Sequence, residues 1–178
     1  MERLHIPLLH RIISFLHPED IVRLGRTSRR MHAMMPDVSL ITELWKGPEF
    51  DSSNSCGEHS HPELYFDGPI LPSTVKDMQL SVVWKDKGHG SSKGKLFMKL
   101  MRPTANGKPK QIAEHPRLFG FGERHKTKAY KVIRRSDHPV VANAKAGDFY
   151  RFMKDRGEAH ELKVKNFQVQ ATVYTVVY

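Results

Sequence analysis

Cysteine is almost absent from this chain of 178 residues, where Cys56 stands alone. No internal disulfide can form, and a zinc cage built on several thiolates cannot be assembled. Long apolar runs are lacking as well, none exceeding three residues, as at Val82-Val83-Trp84. No stretch therefore reads as a membrane span, and the residues from Met1 to His5 open without the apolar segment of a secretion signal. The expected compartment is the cytoplasm, the nucleus or both. Length excludes a large multidomain enzyme, since one domain usually takes about 100 to 200 residues.

Catalytic signatures are missing too. The glycines of Gly88-x-Gly90-x-x-x-Gly94 have the wrong spacing for a dinucleotide fingerprint and lack the ending of a phosphate-binding loop, so they read as a hairpin turn. Cys56, His59 and His61 could in principle share a metal, but a stable site needs a further ligand and a rigid frame, and a solvated linker is the reading preferred. His115, His125, His138 and His160 fall in expected loops with no nucleophile signature beside them. No catalytic residue, metal or cofactor is expected.

What the chain has is a division by charge. Residues 1–46 carry seven Lys and Arg against five Asp and Glu, residues 47–75 carry none against five, and residues 76–178 carry 22 against nine. The middle segment also holds four of the eleven prolines and the run Asp51-Ser52-Ser53-Asn54-Ser55, the composition of an acidic flexible linker with too little apolar surface to order itself. The expected domains are a helical unit at 1–46, the linker at 47–75 and a basic binding domain at 76–178.

In the first segment Leu9, Ile12, Ile13 and Leu16 recur at helical spacing, with Leu8 and Phe15 widening the stripe. Pro18 suits a first helical position, with Glu19 and Asp20 favouring the positive end of a second helix that Gly25 cuts short. Thr27 or Ser28 can cap a third helix through Met31, Met34 and Met35, which Pro36 stops. Asp37 or Ser39 can cap a fourth carrying Ile41, Leu44 and Trp45. Helices this short cannot bury all their apolar surface among themselves, which points either to packing on the rest of the chain or to a partner protein.

These residues, Leu4, Leu8-Leu9, Ile12-Ile13-Ser14-Phe15-Leu16, Pro18, Asp20-Ile21, Leu24, Thr27-Ser28-Arg29-Arg30 and the closing Leu44-Trp45, resemble the F-box motif over residues 4–45. The resemblance implies a bundle of about three helices that docks on the Skp-type adaptor of a cullin-RING (SCF) ubiquitin ligase. Leu4, Leu8, Leu9, Ile12, Ile13, Leu16 and Pro18 would supply adaptor-facing and core contacts, with Ile21 and Leu24 holding the second helix. A ligase that passes ubiquitin itself needs a catalytic thiol or a cysteine-rich zinc module. A chain with one cysteine in a linker has neither, so the implied role is a non-catalytic receptor, with the downstream domain choosing the target protein.

The last hundred residues have strand periodicity. Met78, Leu80, Val82 and Trp84 alternate with polar residues, and Leu96, Met98 and Leu100 continue the pattern after the glycine turn. Asn106-Gly107 marks another turn, and later strands are expected at 129–133, at Val140-Val141 and at 149–153. The final run begins on Leu162 and Val164, then switches parity to Phe167, Val169, Ala171 and Val173, which a bulge with Asn166 as the extra residue would produce. The expected fold class is α+β: a small N-terminal helical F-box, a linker, then an antiparallel all-β sandwich, jelly-roll-like.

The densest basic cluster is Arg124, Lys126, Lys128, Lys131, Arg134 and Arg135, with Tyr130 among them. It reads as an anion- or substrate-binding surface for an acidic, phosphorylated or glycosylated protein, or as the solvated face of a strand. A competing reading is a nucleic-acid-binding β-domain with a helical interaction arm. A third, a glycan-binding sandwich, would need Trp84 or Tyr150 exposed.

Overall fold

The computed structural model describes residues 6–51, 61–86, 94–120, 127–155 and 162–177. They are mostly antiparallel β-structure with a few short helices, in the order α1 (Ile6–Ile13), α2 (Pro18–Gly25), α3 (Arg29–Met34), β1 (Asp37–Lys46), β2 (Phe50–Asp51), β3 (Glu63–Ile70), β4 (Val75–Asp86), β5 (Lys95–Arg102), β6 (Lys110–Gly120), β7 (Thr127–Arg134), α4 (Pro139–Ala142), β8 (Phe149–Asp155) and β9 (Leu162–Val177). The chain divides into two units, residues 1–41 with 174–178, and residues 42–173.

In the first unit α2 begins as its sequence dictates. Pro18 occupies the first turn, the His17 ring accepts from the Glu19 amide at 3.3 Å, and Glu19 and Asp20 lie at the positive end. Ser28 rather than Thr27 caps α3, its hydroxyl accepting from the Met31 amide at 3.1 Å. Leu9, Ile13 and Ile21 form a small buried cluster, joined by Leu16, the methionines 31, 34 and 35, Val38 and Val176. The terminal turn of β9 belongs to this unit: Tyr174 donates its hydroxyl to the Glu19 carboxylate and meets the His17 ring edge-on at 5.4 Å.

The second unit is a sandwich. One sheet runs β1-β9-β4-β7, with β2 also on β9, and the other runs β3-β8-β5-β6. Between them lies a core of large apolar side chains, centred on Phe66 stacked on Phe152 at 4.6 Å, with Phe167 edge-on to both. The alternation of Met78, Leu80, Val82 and Trp84 is the inward face of β4, and Leu96, Met98 and Leu100 are the inward face of β5. The bulge lies where the parity switch puts it. Ser81 pairs with Gln168 and Val83 with Lys165, so β9 spends one more residue than β4, and Asn166 takes a φ of 51° there. Gly107 closes the 104–107 turn at a φ of 75°, donating its amide to the Thr104 carbonyl.

Three expectations are corrected, and one strand is new. The fourth helix is strand β1: Val38, Ile41 and Thr42 are β-branched, β9 lies beside it, and Trp45 is buried in the sandwich core against Tyr150. The segment read as linker contains β2 and β3 among its described residues, because Tyr65 and Phe66 supply rings to the core that its acidic composition concealed. Val140 and Val141 lie in the short helix α4, capped by His138, and not in a strand. Lys110–Gly120, not recognised as a strand, is β6, its alternation blurred by half-buried polar residues.

Candidate interaction sites

Helix α1 is apolar on two faces. Leu9 and Ile13, one helical turn apart, turn inward with 3% and 1% exposure. Leu8 and Ile12 of α1, also one helical turn apart, and Phe15 in the turn that follows the helix stand in solvent at 55%, 45% and 83% exposure. Exposed apolar side chains at this spacing, on a helix whose other face is already buried, form a surface ready to be covered. The nine residues singled out as adaptor contacts thus separate: Leu9, Ile13, Pro18 and Ile21 are buried, Leu16 and Leu24 are half-buried, and only Leu8 and Ile12 are exposed. Leu4 lies outside the described residues. Phe15, noted as part of the stripe, lies in the turn just past α1, its amide donating to the Ile12 carbonyl at 3.1 Å. Leu44 and Trp45, read as the motif's close, are in β1.

The basic cluster also separates. Arg124 and Lys126 lie outside the described residues. Along β7 the side chains of Lys128, Tyr130, Val132 and Arg134 are exposed, whereas Ala129, Lys131 and Ile133 take the opposite face. Lys131 donates to the Arg117 carbonyl at 3.1 Å, and Arg135 to the Val141 carbonyl at 3.4 Å. Sequence reasoning grouped these cations by proximity in the chain, while the two-residue period sends them to different faces.

Beside Lys131, His115 of β6 and His138 stack with ring centroids 4.5 Å apart. His115 is a strand residue and His138 a helix cap, where loops were expected; His125 and His160 lie outside the described residues. Each Nδ1 accepts a backbone amide, from Arg117 at 3.4 Å and Val140 at 3.1 Å, so Nε2 carries the proton in the neutral rings. Burial, then Lys131 and His138, push His115 down to about 4, and burial with Lys131 lowers His138. Lys131 is itself lowered by burial and by Arg117. The shifts share one cause beyond desolvation, which is positive charge gathered along this side of the sandwich.

Other chemistry finds no frame. Trp84 and Tyr150 are 4% and 0% exposed, so the glycan-reading aromatics are core residues. Cys56 and His59 lie outside the described residues, and among the described residues no group of three His, Cys, Asp or Glu is set to hold a metal. No described helix is long and apolar enough to cross a membrane.

No curated protein matches the chain. Among solved structures it is similar to infectious bursal disease virus of the Gt strain, at 13% identity and a TM-score of 0.39, covering 78% of this chain and 33% of that one. For the Gx strain the values are 11%, 0.38, 78% and 34%, so the chain spans about a third of the length of these viral chains. Residues 1–42 match the F-box domain family. The chain carries an F-box domain at residues 1–42, followed by an antiparallel all-β sandwich.

Proposed function

We propose that the protein is the substrate receptor of an SCF-type ubiquitin ligase, in which Leu8, Ile12 and Phe15 meet the Skp-type adaptor and the sandwich binds the target. The observation that carries this reading is the exposed apolar surface of α1 and the turn after it, within residues that match the F-box domain. Burying side chains of this size contributes about 1.5 to 3 kcal/mol each toward the cost of association. The receptor does no bond chemistry. It holds a target lysine near the ubiquitin-charged enzyme, raising the effective concentration of the two reactants. The helical bundle of the F-box and a jelly-roll wrapping of the sandwich belong to the same reading, supported by the order of α1 to α3 and by a chain that passes between sheets at each step from β3 to β5 and from β6 to β9.

The test is adaptor binding by the full chain, wild type beside the triple variant Leu8→Asp, Ile12→Asp, Phe15→Asp. All three positions are exposed, so the variant should keep its thermal stability and lose adaptor binding. Unchanged binding by the triple variant would overturn the assignment of this face. Leu9→Asp is unsuitable as the diagnostic change, because it puts a charge into the unit's own core.

A further inference from the structure

Several cations of the sandwich are paired. Arg102 holds the buried Asp148 through two bonds of 2.7 and 2.9 Å, Arg151 holds Asp67 through two of 2.8 Å, and Lys99 lies 3.7 Å from Glu114. Along β7 the pattern stops. Among the described residues no carboxylate lies within ion-pair distance of Lys128, Lys131 or Arg134. The acid opposite Arg134 in the ladder, Asp77, accepts from the Thr172 hydroxyl at 2.9 Å instead. β7 ends the strand order of its sheet, with β4 on one side and no described strand on the other. Its backbone edge and its uncompensated charge therefore coincide.

We propose that this edge of β7 is the docking strip for an extended acidic segment of the target protein, which adds to the sheet as a further antiparallel strand. The charge selects the partner's sign, and the strand period selects its form. Side chains that recur every second residue are spaced by about 7 Å, the repeat with which a bound strand presents its own alternate side chains. Lys128 and Arg134 stand at the two ends of the exposed row, and Tyr130 and Val132, at 63% and 41% exposure, fill the middle. That order fits acidic residues flanking an apolar pair. A nucleic-acid backbone carries a charge at every step and would meet none at the two central positions. Lysines on an edge strand also deter unwanted pairing, and the experiment separates a guarded edge from a selective one.

The proposal rests on the receptor reading for the origin of the segment, and its binding step is measured apart from the adaptor. The probe is a fluorescent peptide of about eight residues, to match a strand, whose alternate positions run glutamate, valine, valine, glutamate with threonine between them, titrated into the full chain and read by anisotropy. Saturable binding is expected. It should weaken by about tenfold or more for Lys128→Glu with Arg134→Glu, checked for native folding by circular dichroism, and equally for a peptide N-methylated at alternate amides. Equal binding of the N-methylated peptide would overturn strand addition. Preferential binding of oligothymidylate would overturn the choice of polypeptide, and absence of peptide binding would leave the lysines as edge guards alone. A failed adaptor pull-down beside intact peptide binding would sink the receptor reading and spare the strip.

Discussion

The two units solve the same problem at different scales. Among the described residues the sandwich core holds twenty-five buried residues, while the cluster of the N-terminal unit holds Leu9, Ile13 and Ile21. A core of three side chains cannot offset the ordering entropy of some forty residues, whereas two apposed sheets supply apolar area in proportion to their length. The small unit therefore draws Val176 and Tyr174 in from the chain's far end and, in the function proposed, relies on a partner that covers Leu8, Ile12 and Phe15. Marginal size and exposed apolar surface are two aspects of one property: a unit that could bury everything would have nothing left to dock.

The largest expected effect tests the self-sufficient half. Phe167 is 1% exposed and touches the rings of Tyr65, Phe66, Phe119 and Phe152. Phe167→Ala should destabilise the sandwich by about 3 to 5 kcal/mol, read as a shift in the urea midpoint at constant slope. A loss under about 1 kcal/mol would mean the rings close over the gap and the core is less close-packed than its contacts suggest.

A smaller effect probes the dependent half. Tyr174→Phe keeps the ring against His17 and removes only the hydroxyl that Glu19 accepts. A hydrogen bond to a carboxylate contributes about 1.5 to 3 kcal/mol, and part-burial places this one at the lower end. Hydrogen exchange of the α2 amides should accelerate, with those of β4 and β5 unchanged. Uniform acceleration across both would show that the units open together.

How much of this was readable follows the same division of scale. In the sandwich, Met78, Leu80, Val82 and Trp84 announce β4 because one face is buried and the other wet, and the parity switch at Asn166 announces the bulge because a one-residue slip would turn Lys165 inward. β6 was not readable, since an edge strand with Glu114, His115 and Arg117 half-buried or exposed has no clean alternation. β1 was misread because Ile41, Leu44 and Trp45 fit a helical stripe as well as a strand, and only the neighbouring β9 decides between them. At the candidate sites, residue types were legible and directions were not. Leu8 and Leu9 are adjacent in sequence and opposite in exposure, and Lys128 and Lys131 differ by an odd step on a strand.

The stacked histidines give the finest test, because they measure the positive charge gathered at the sandwich's β6–β7 side. His115 is held near 4 by burial and by Lys131, His138 and Arg117, whereas an unfolded histidine titrates at about 6.5. Between those values the unfolded chain binds the proton more readily, so stability is full above about 6.5 and falls as pH drops toward 4. His115 is partly exposed, and solvent screening reduces the expected loss to about 1 kcal/mol. Urea midpoints measured across this window should show the decline, and His115→Gln should flatten it. Lys131→Met should flatten part of it as well, by withdrawing the cation that His115 and His138 share. A slope untouched by Lys131→Met would assign the depression to burial alone and leave Lys131 without an electrostatic effect on the two rings.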